Sequence, residues 1–400
     1  MKDLRGFLIR YYRLQKNFSQ EGLCHGICAV SYLSKIEQGR VVAADEIYQA
    51  LFQALGISFQ ADELWIAQAR GMLQELAESR FYEERCDACE LREHMEELLH
   101  SPLCVDVLLI KALYEKQEAE KLLQELAVFL DYMNNEQRFL YHFLYARQQY
   151  ASKEKDAFVH MLAELQEAQK YGDYSIVYQE KGIAYARLGD YSQALYHHVK
   201  AYDLACEEGF LPCMIDASMH IANCYSGMHA EGVMLKYYER CEHLCRSSHN
   251  KQMQAYVWYN IGSTYQQWNA YEKALPLLLK AYAVLNDTFL CCHKLALVYE
   301  QLQRREEGQR YVKEMENQLQ EHPFANGEEI LRFVKYRYEQ AVDEDAYIDC
   351  LQHLCASSQY FHGLRQFHLP YLIDALKRKR RYKEALQLME EQHFPEIDTL

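Results

Sequence analysis

The 400-residue chain is half apolar and one quarter charged, which supplies ample material for buried cores and excludes a disordered chain. Sixteen glycines and six prolines make strong helix breakers sparse, so an all-α fold is expected. The net charge of −15 is uneven: residues 1–60 hold seven Lys/Arg against five Asp/Glu and the rest 36 against 53, so a phosphate-binding surface belongs to the N-terminal segment.

A first helix is read from Leu4, Phe7, Leu8, Tyr11, Tyr12 and Leu14, an i, i+3, i+4, i+7 stripe. Arg5, Arg10, Arg13 and Lys16 fall largely off it and are expected to face water or phosphate. Ser19 stands where an N-cap belongs for a second helix, with Gln20 and Glu21 in its first turn. Gly22 inside that helix costs about 1 kcal/mol relative to alanine. A turn at Gly26-Ile27-Cys28 leads into a third helix in which Val30, Leu33 and Ile36 face inward. Ser31, Tyr32, Ser34 and Lys35 are left outside, as on a recognition helix entering the major groove. Ser31, Tyr32 and Lys35 are the candidates for base edges, with Ser34 beside them and Arg40 for phosphate. A fourth helix is expected over 41–57, with Ile47, Leu51, Phe52 and Leu55 apolar.

This segment resembles the five-helix, phage-repressor-like DNA-binding domain of XRE-type regulators. Leu33-Ser34-Lys35-Ile36-Glu37-Gln38-Gly39 and Leu55-Gly56-Ile57 carry the likeness, which spans about residues 3–66. Two stretches depart from the family pattern: Val41-Val42-Ala43-Ala44 stands where relatives carry a basic residue and a proline, and Cys24-His25 replaces a small and acidic pair. Residues 1–66 are therefore assigned to a helix-turn-helix domain, 67–100 to a helical linker, and 101–400 to a second domain.

Small-residue-plus-tyrosine pairs recur in that second domain at Gly182…Tyr185, Ala222…Tyr225, Gly262…Tyr265 and Ala296…Tyr299, spaced by 40, 40 and 34 residues. Twelve and nineteen residues beyond each small residue come Ala194 and Ala201, Met234 and Cys241, Ala274 and Ala281, Gly308 and Met315. Such a period implies an α-solenoid of helix pairs whose backbones approach at the small residues. The units resemble tetratricopeptide repeats, most clearly over 174–316, with Trp258 at a position where that pattern favours tryptophan. Residues 137–170 read as a divergent pair, and Tyr382-Lys383-Glu384-Ala385-Leu386 as part of a last one. Pro276 is expected to kink its helix mildly, and Lys377-Arg378-Lys379-Arg380-Arg381 to form a solvated turn.

The first helix of each pair lines the concave side of a solenoid. Facing predicts that Gln179, Glu180, Arg187, His220, Asn223, Tyr259, Asn260, Ser263, Gln267 and Lys294 look into it, with Gln266 beside Gln267. Amides offer a donor and an acceptor each, which suits an extended peptide, although a solvated groove without a ligand fits the composition equally. An XRE-type head on a tetratricopeptide body resembles the peptide-pheromone-sensing transcription regulators of the Rgg, PlcR and PrgX kind. The resemblance implies a cytoplasmic homodimer that binds a double-stranded DNA operator and a short signalling peptide. The competing reading is a solenoid that binds a regulatory protein, with a vestigial helix-turn-helix.

Fourteen scattered cysteines without a basic-then-apolar leader suggest reduced thiols, and no apolar run approaches the 18 residues of a membrane span. Cys86-x-x-Cys89 and Cys241-x-x-x-Cys245 lack a second pair at finger spacing, so no metal or cofactor is expected. His197-His198 and Cys24-His25…Cys28 lack a third member, and no phosphate loop, H-E-x-x-H or G-x-S-x-G occurs, so no catalytic residue is assigned.

Overall fold

The computed structural model describes residues 3–59, 62–81, 89–115, 117–149, 155–324, 326–339, 343–357 and 362–393. Among the described residues all regular structure is helical. Contacts divide the chain into two units, Met1–Ala151 with His160–Asp173, and Ser152–Val159 with Tyr174–Leu400.

The first unit begins with α1 (Leu4–Gln15), α2 (Gln20–Cys24), α3 (Val30–Glu37) and α4 (Asp45–Ala54). Asp3 caps α1 and Ser19 caps α2, each side chain accepting a backbone N–H of the first turn. Leu8, Ile9, Leu33, Ile36 and Leu51 are fully buried between these helices. Gly6 permits the close approach of α1 to α3, because a Cβ there would lie 2.2 Å from the Ile36 carbonyl oxygen. The fourth helix is shorter than the apolar pattern suggests. It starts at Asp45, whose carboxylate and that of Glu46 favour a helix N-terminus, and stops before Gly56 at φ +68°.

The unit continues through α5 (Glu63–Phe81), α6 (Cys89–Leu98), α7 (Cys104–Tyr114), α8 (Ala119–Leu126), a 3-10 segment (Ala127–Tyr132), α9 (Asn135–Gln149) and most of α10 (Lys155–Gln169). One hydrophobic core joins α1–α4 to α5–α9. Phe7 of α1 meets Phe129 edge-on at 4.9 Å and Tyr132 at 4.6 Å, and the Tyr12 hydroxyl donates to the Leu99 carbonyl at 3.0 Å. The apolar stripe of α1 thus packs on two sides, and the helix-turn-helix is anchored through it.

Beyond the start of α10, the described residues of the second unit form six helix pairs: α11 (Ser175–Leu188) with α12 (Tyr191–Glu208), α13 (Leu211–Gly227) with α14 (Glu231–Ser247), α15 (Lys251–Gln267) with α16 (Tyr271–Tyr282), α17 (Phe289–Gln301) with α18 (Arg305–Glu321), α19 (Gly327–Tyr338) with α20 (Glu344–Ser357), and α21 (His362–Arg378) with α22 (Tyr382–His393). Ala194, Ala201, Met234, Cys241, Ala274, Ala281 and Met315 are all fully buried, as the repeat spacing requires. Gly182 accepts the imidazole of His198, whose ring atoms would lie 2.5–2.7 Å from a Cβ. Pro276 sits inside α16, which continues past it. The basic run near the C-terminus is largely neutralised: Arg378 pairs with Glu344 and Asp374, Lys379 with Asp345, and Arg381 with Glu384.

Within this unit α21 turns back onto the earlier pairs. His293 of α17 stacks on His368 at 5.6 Å and meets Phe367 edge-on at 5.2 Å. Beside these residues α21 also reaches α11, and the Tyr191 hydroxyl at the start of α12 donates to Gln366 Oε1 at 3.2 Å.

Candidate functional site

The helix-turn-helix is set by short-range chemistry. Ser19 Oγ accepts the Gly22 N–H at 2.9 Å, and Gly26 at φ +76° makes the turn that an L side chain resists. Leu33 and Ile36 anchor α3, leaving Ser31, Lys35 and, beyond the helix, Arg40 exposed. Tyr32 and Ser34 are half-buried: Tyr32 packs against the core, and Ser34 Oγ accepts from Gln38 Nε2 at 3.1 Å. Val30 is 43% exposed rather than inward, since it occupies the first turn of α3 before the helix meets its neighbours.

The inward charge on α3 is Glu37, which the residue pattern does not signal. Arg13 grips it with Nε–Oε1 at 2.6 Å and Nη2–Oε2 at 2.9 Å, Gln20 Nε2 adds 2.8 Å, and Arg13 Nη1 caps the Phe18 carbonyl at 2.9 Å. This buried bidentate pair ties α1, α2 and α3 into one geometry. Most α1 cations are consequently turned away from a ligand. Arg5 binds Asp3 and Asp45 and lies 4.1 Å above the Tyr48 ring, while Lys16 donates to the Leu55 carbonyl at 2.6 Å. Arg10 keeps its exposure, so the basic groups presented outward near α3 are Arg10, Lys35 and Arg40.

On the inner helices of the second unit, the ten expected contact residues separate into groups. Glu180, Arg187, His220, Tyr259, Asn260 and Ser263 are half-buried and Gln267 is exposed. Gln179 is buried and turned toward α12, its Oε1 3.0 Å from His198 Nδ1, which puts the ring proton on that nitrogen. His198 in turn stacks on His220 at 4.8 Å; burial pushes His220 down to about 4 and His198 well below the histidine range, so both are neutral. Asn223 Oδ1 accepts the Tyr238 hydroxyl of α14, leaving its amide N–H groups to donate.

Lys294 departs from the expected facing. It is 7% exposed, and its Nζ lies 2.9 Å from the Phe367 ring centroid, because α21 covers this part of α17. Burial holds its pKa well below the usual lysine range. Beside Gln267, Gln266, expected with it on the concave side, is instead 3% exposed, and neither its Oε1 nor its Nε2 meets a partner. Ser218 Oγ and His293 Nε2 are likewise buried and unpartnered, while Ser263, one turn earlier on α15, interacts with the Tyr259 hydroxyl. The choice of Gln266 over its neighbour follows from helical spacing, since it lies four residues beyond the packed Gly262.

Cys241 and Cys245 are buried thiols of α14, and Cys86-x-x-Cys89 falls outside the residues whose side chains are described. Among the described residues no three His, Cys, Asp or Glu side chains gather as metal ligands, and no helix is long and apolar enough to cross a membrane.

Residues 9–61 match the Helix-turn-helix family, so the chain carries an N-terminal domain of this XRE type. No curated protein matches the chain. Its fold resembles that of a Rap protein complexed with Competence and Sporulation Factor, at a TM-score of 0.66 and 12% identity, covering 81% of this chain and 96% of that one. NprR in complex with its cognate peptide NprX gives 0.61 at 18% identity, covering 81% and 98%. Aspartyl phosphate phosphatase F from Bacillus subtilis gives 0.55 at 13% identity, covering 98% and 94%. At these identities the likeness is one of fold, an all-helical chain with a tetratricopeptide-type solenoid.

Proposed function

We propose that the chain is a sequence-specific DNA-binding regulator that acts in the cytoplasm as a homodimer and senses a short peptide in its repeat unit. The observation that carries the peptide half is Gln266, an amide enclosed on α15 with neither atom paired. A buried amide without partners costs about 1–3 kcal/mol, a cost that a peptide backbone reaching it offsets by supplying both a donor and an acceptor. Asn223, Asn260, Ser263 and the half-buried Tyr259 offer further polar contacts along the same helices. The solenoid likeness to a receptor solved with its cognate peptide supports this reading.

The DNA half rests on α3, where Ser31 and Lys35 are exposed on a helix fixed by the Arg13–Glu37 pair. Three outward cations are few for phosphate neutralisation, so two heads on paired half-sites, one DNA turn or a multiple apart, supply the affinity. The test is selection of the purified chain against a random duplex pool at low salt. A sequence consensus is expected, and failure to enrich any sequence overturns the DNA reading. The scarcity of free cations favours one alternative, a solenoid that binds a regulatory protein. A stoichiometric protein partner, recovered unchanged after Ser31, Tyr32 and Lys35 are replaced by alanine, decides for it.

A further inference from the structure

In the second unit α21 contacts helices of three earlier pairs. α21 presents Gln366 to Tyr191 at the start of α12, lays Phe367 over Lys294 and against His293 of α17, and packs Tyr371 on Phe333 of α19 at 5.1 Å. Contacts from the first, fourth and fifth helix pairs thus converge on one helix, and on α17 they fall at His293 and Lys294, where the repeat facing predicts the concave side.

Two features make this contact displaceable. Lys294 is an amine enclosed without an anion: among the described residues no carboxylate forms an ion pair with it, its Nζ lies against the Phe367 ring, and burial disfavours its charged form until a carboxylate arrives. A carboxylate brought to the same place forms a charge-assisted hydrogen bond, which an aromatic face does not. The second feature is Pro370 inside α21. Proline lacks an N–H and its ring crowds the carbonyl four residues earlier, so helical bonding is lost at Gln366, beside Phe367. The covering segment is therefore weakest in itself where it touches α12 and α17.

We propose that α21 is a built-in occupant of the concave face, and that an extended peptide presenting a carboxylate to Lys294 displaces Phe367 and frees α21 from α17 and α12. This deepens the peptide-sensing reading and rests on it for the ligand, while the internal contact is testable alone. Occupancy of the face by α21 then opposes ligand binding, and the ligand's preference for the freed arrangement is what shifts the population.

Hydrogen exchange on the full chain tests the internal contact. Lys294→Met keeps the stem and removes the enclosed, unpaired amine, so exchange of α21 amides slows at least tenfold. Phe367→Ala removes the cover, so the same amides exchange at least tenfold faster while those of α13–α16 are unchanged. If neither substitution alters α21 exchange, the inference is wrong. For the ligand, the immobilised chain is offered a random heptapeptide library with free C-terminal carboxylates, and the same library amidated. Recovered peptides are expected to lose at least tenfold in affinity when their carboxylates become carboxamides, to show no such loss with Lys294→Met, and to speed α21 exchange. Peptides that bind equally well after amidation, or leave α21 exchange unchanged, overturn this inference and leave the peptide-sensing reading standing. A library that yields no binder overturns that reading together with the ligand half of this one.

Discussion

Gly182 and Gly71 show how one residue type has opposite consequences in two helices. A methyl group at Gly182 enters the imidazole of His198, which is itself held by Gln179, whereas a Cβ at Gly71 in α5 meets nothing within 4 Å. Gly182→Ala should therefore destabilise the chain by about 1–3 kcal/mol through overpacking, while Gly71→Ala should stabilise it by about 1 kcal/mol through helix propensity. Urea midpoints of the two variants, measured together, check the opposite signs; a shift of the same sign contradicts the packing described. Breaking the Arg13–Glu37 pair is the larger perturbation. Arg13→Met strands a buried carboxylate and is expected to cost about 3–5 kcal/mol in the same assay. The small-residue positions were legible because repetition marks them. Glu37 was not, since in Lys35-Ile36-Glu37-Gln38 it reads as part of a polar surface, and a cross-helix ion pair leaves no periodic trace.

At the scale of elements, α3 separates groups aimed outward from groups already committed. Lys35→Ala is expected to weaken binding of a selected duplex by about 1–3 kcal/mol if the ammonium reads a base, with specificity relaxed at that position. Arg10→Ala and Arg40→Ala should instead weaken all sequences alike and reduce the salt slope by about 1 each. Arg5→Ala should leave the salt slope unchanged, because its guanidinium is bound to Asp3 and Asp45. Anisotropy titrations of these variants between low and moderate salt distinguish the three behaviours; a reduced slope for Arg5→Ala shows that it reaches phosphate after all. Helix identity and order were readable from the apolar stripes and from the Ser19 cap. The destination of the cations was not, because position off an apolar stripe does not distinguish solvent from a neighbouring carboxylate.

For the molecule as a whole, the buried imidazoles set how stability responds to acid. Burial lowers His197 and His220 to about 4 and His198 and His293 further, with Lys181, Arg187 and Lys294 adding like-charge repulsion. An unfolded histidine titrates near 6.5, so below that pH the unfolded chain binds more protons than the folded one. The stabilisation is thus complete above about 6.5, falls as pH falls, and for His197 and His220 is lost once the folded chain protonates near 4. The fully buried His198 contributes up to about 1.4 kcal/mol per pH unit in that window. Urea midpoints at pH 7.5, 6 and 5 should decline, and His198→Gln should flatten the decline beyond any change at pH 7.5. A midpoint that holds steady to pH 5, or an undiminished slope in His198→Gln, would mean that this imidazole protonates in place. Such acid sensitivity belongs to the assembled solenoid: His198 is neutral because α11, α12 and α13 close around it, and His293 because α17, α19 and α21 do. The repeat spacing marks Gly182 and Ala201 on either side of His198 without assigning the imidazole a place, and the second enclosure depends on a return of α21 that no repeat period encodes.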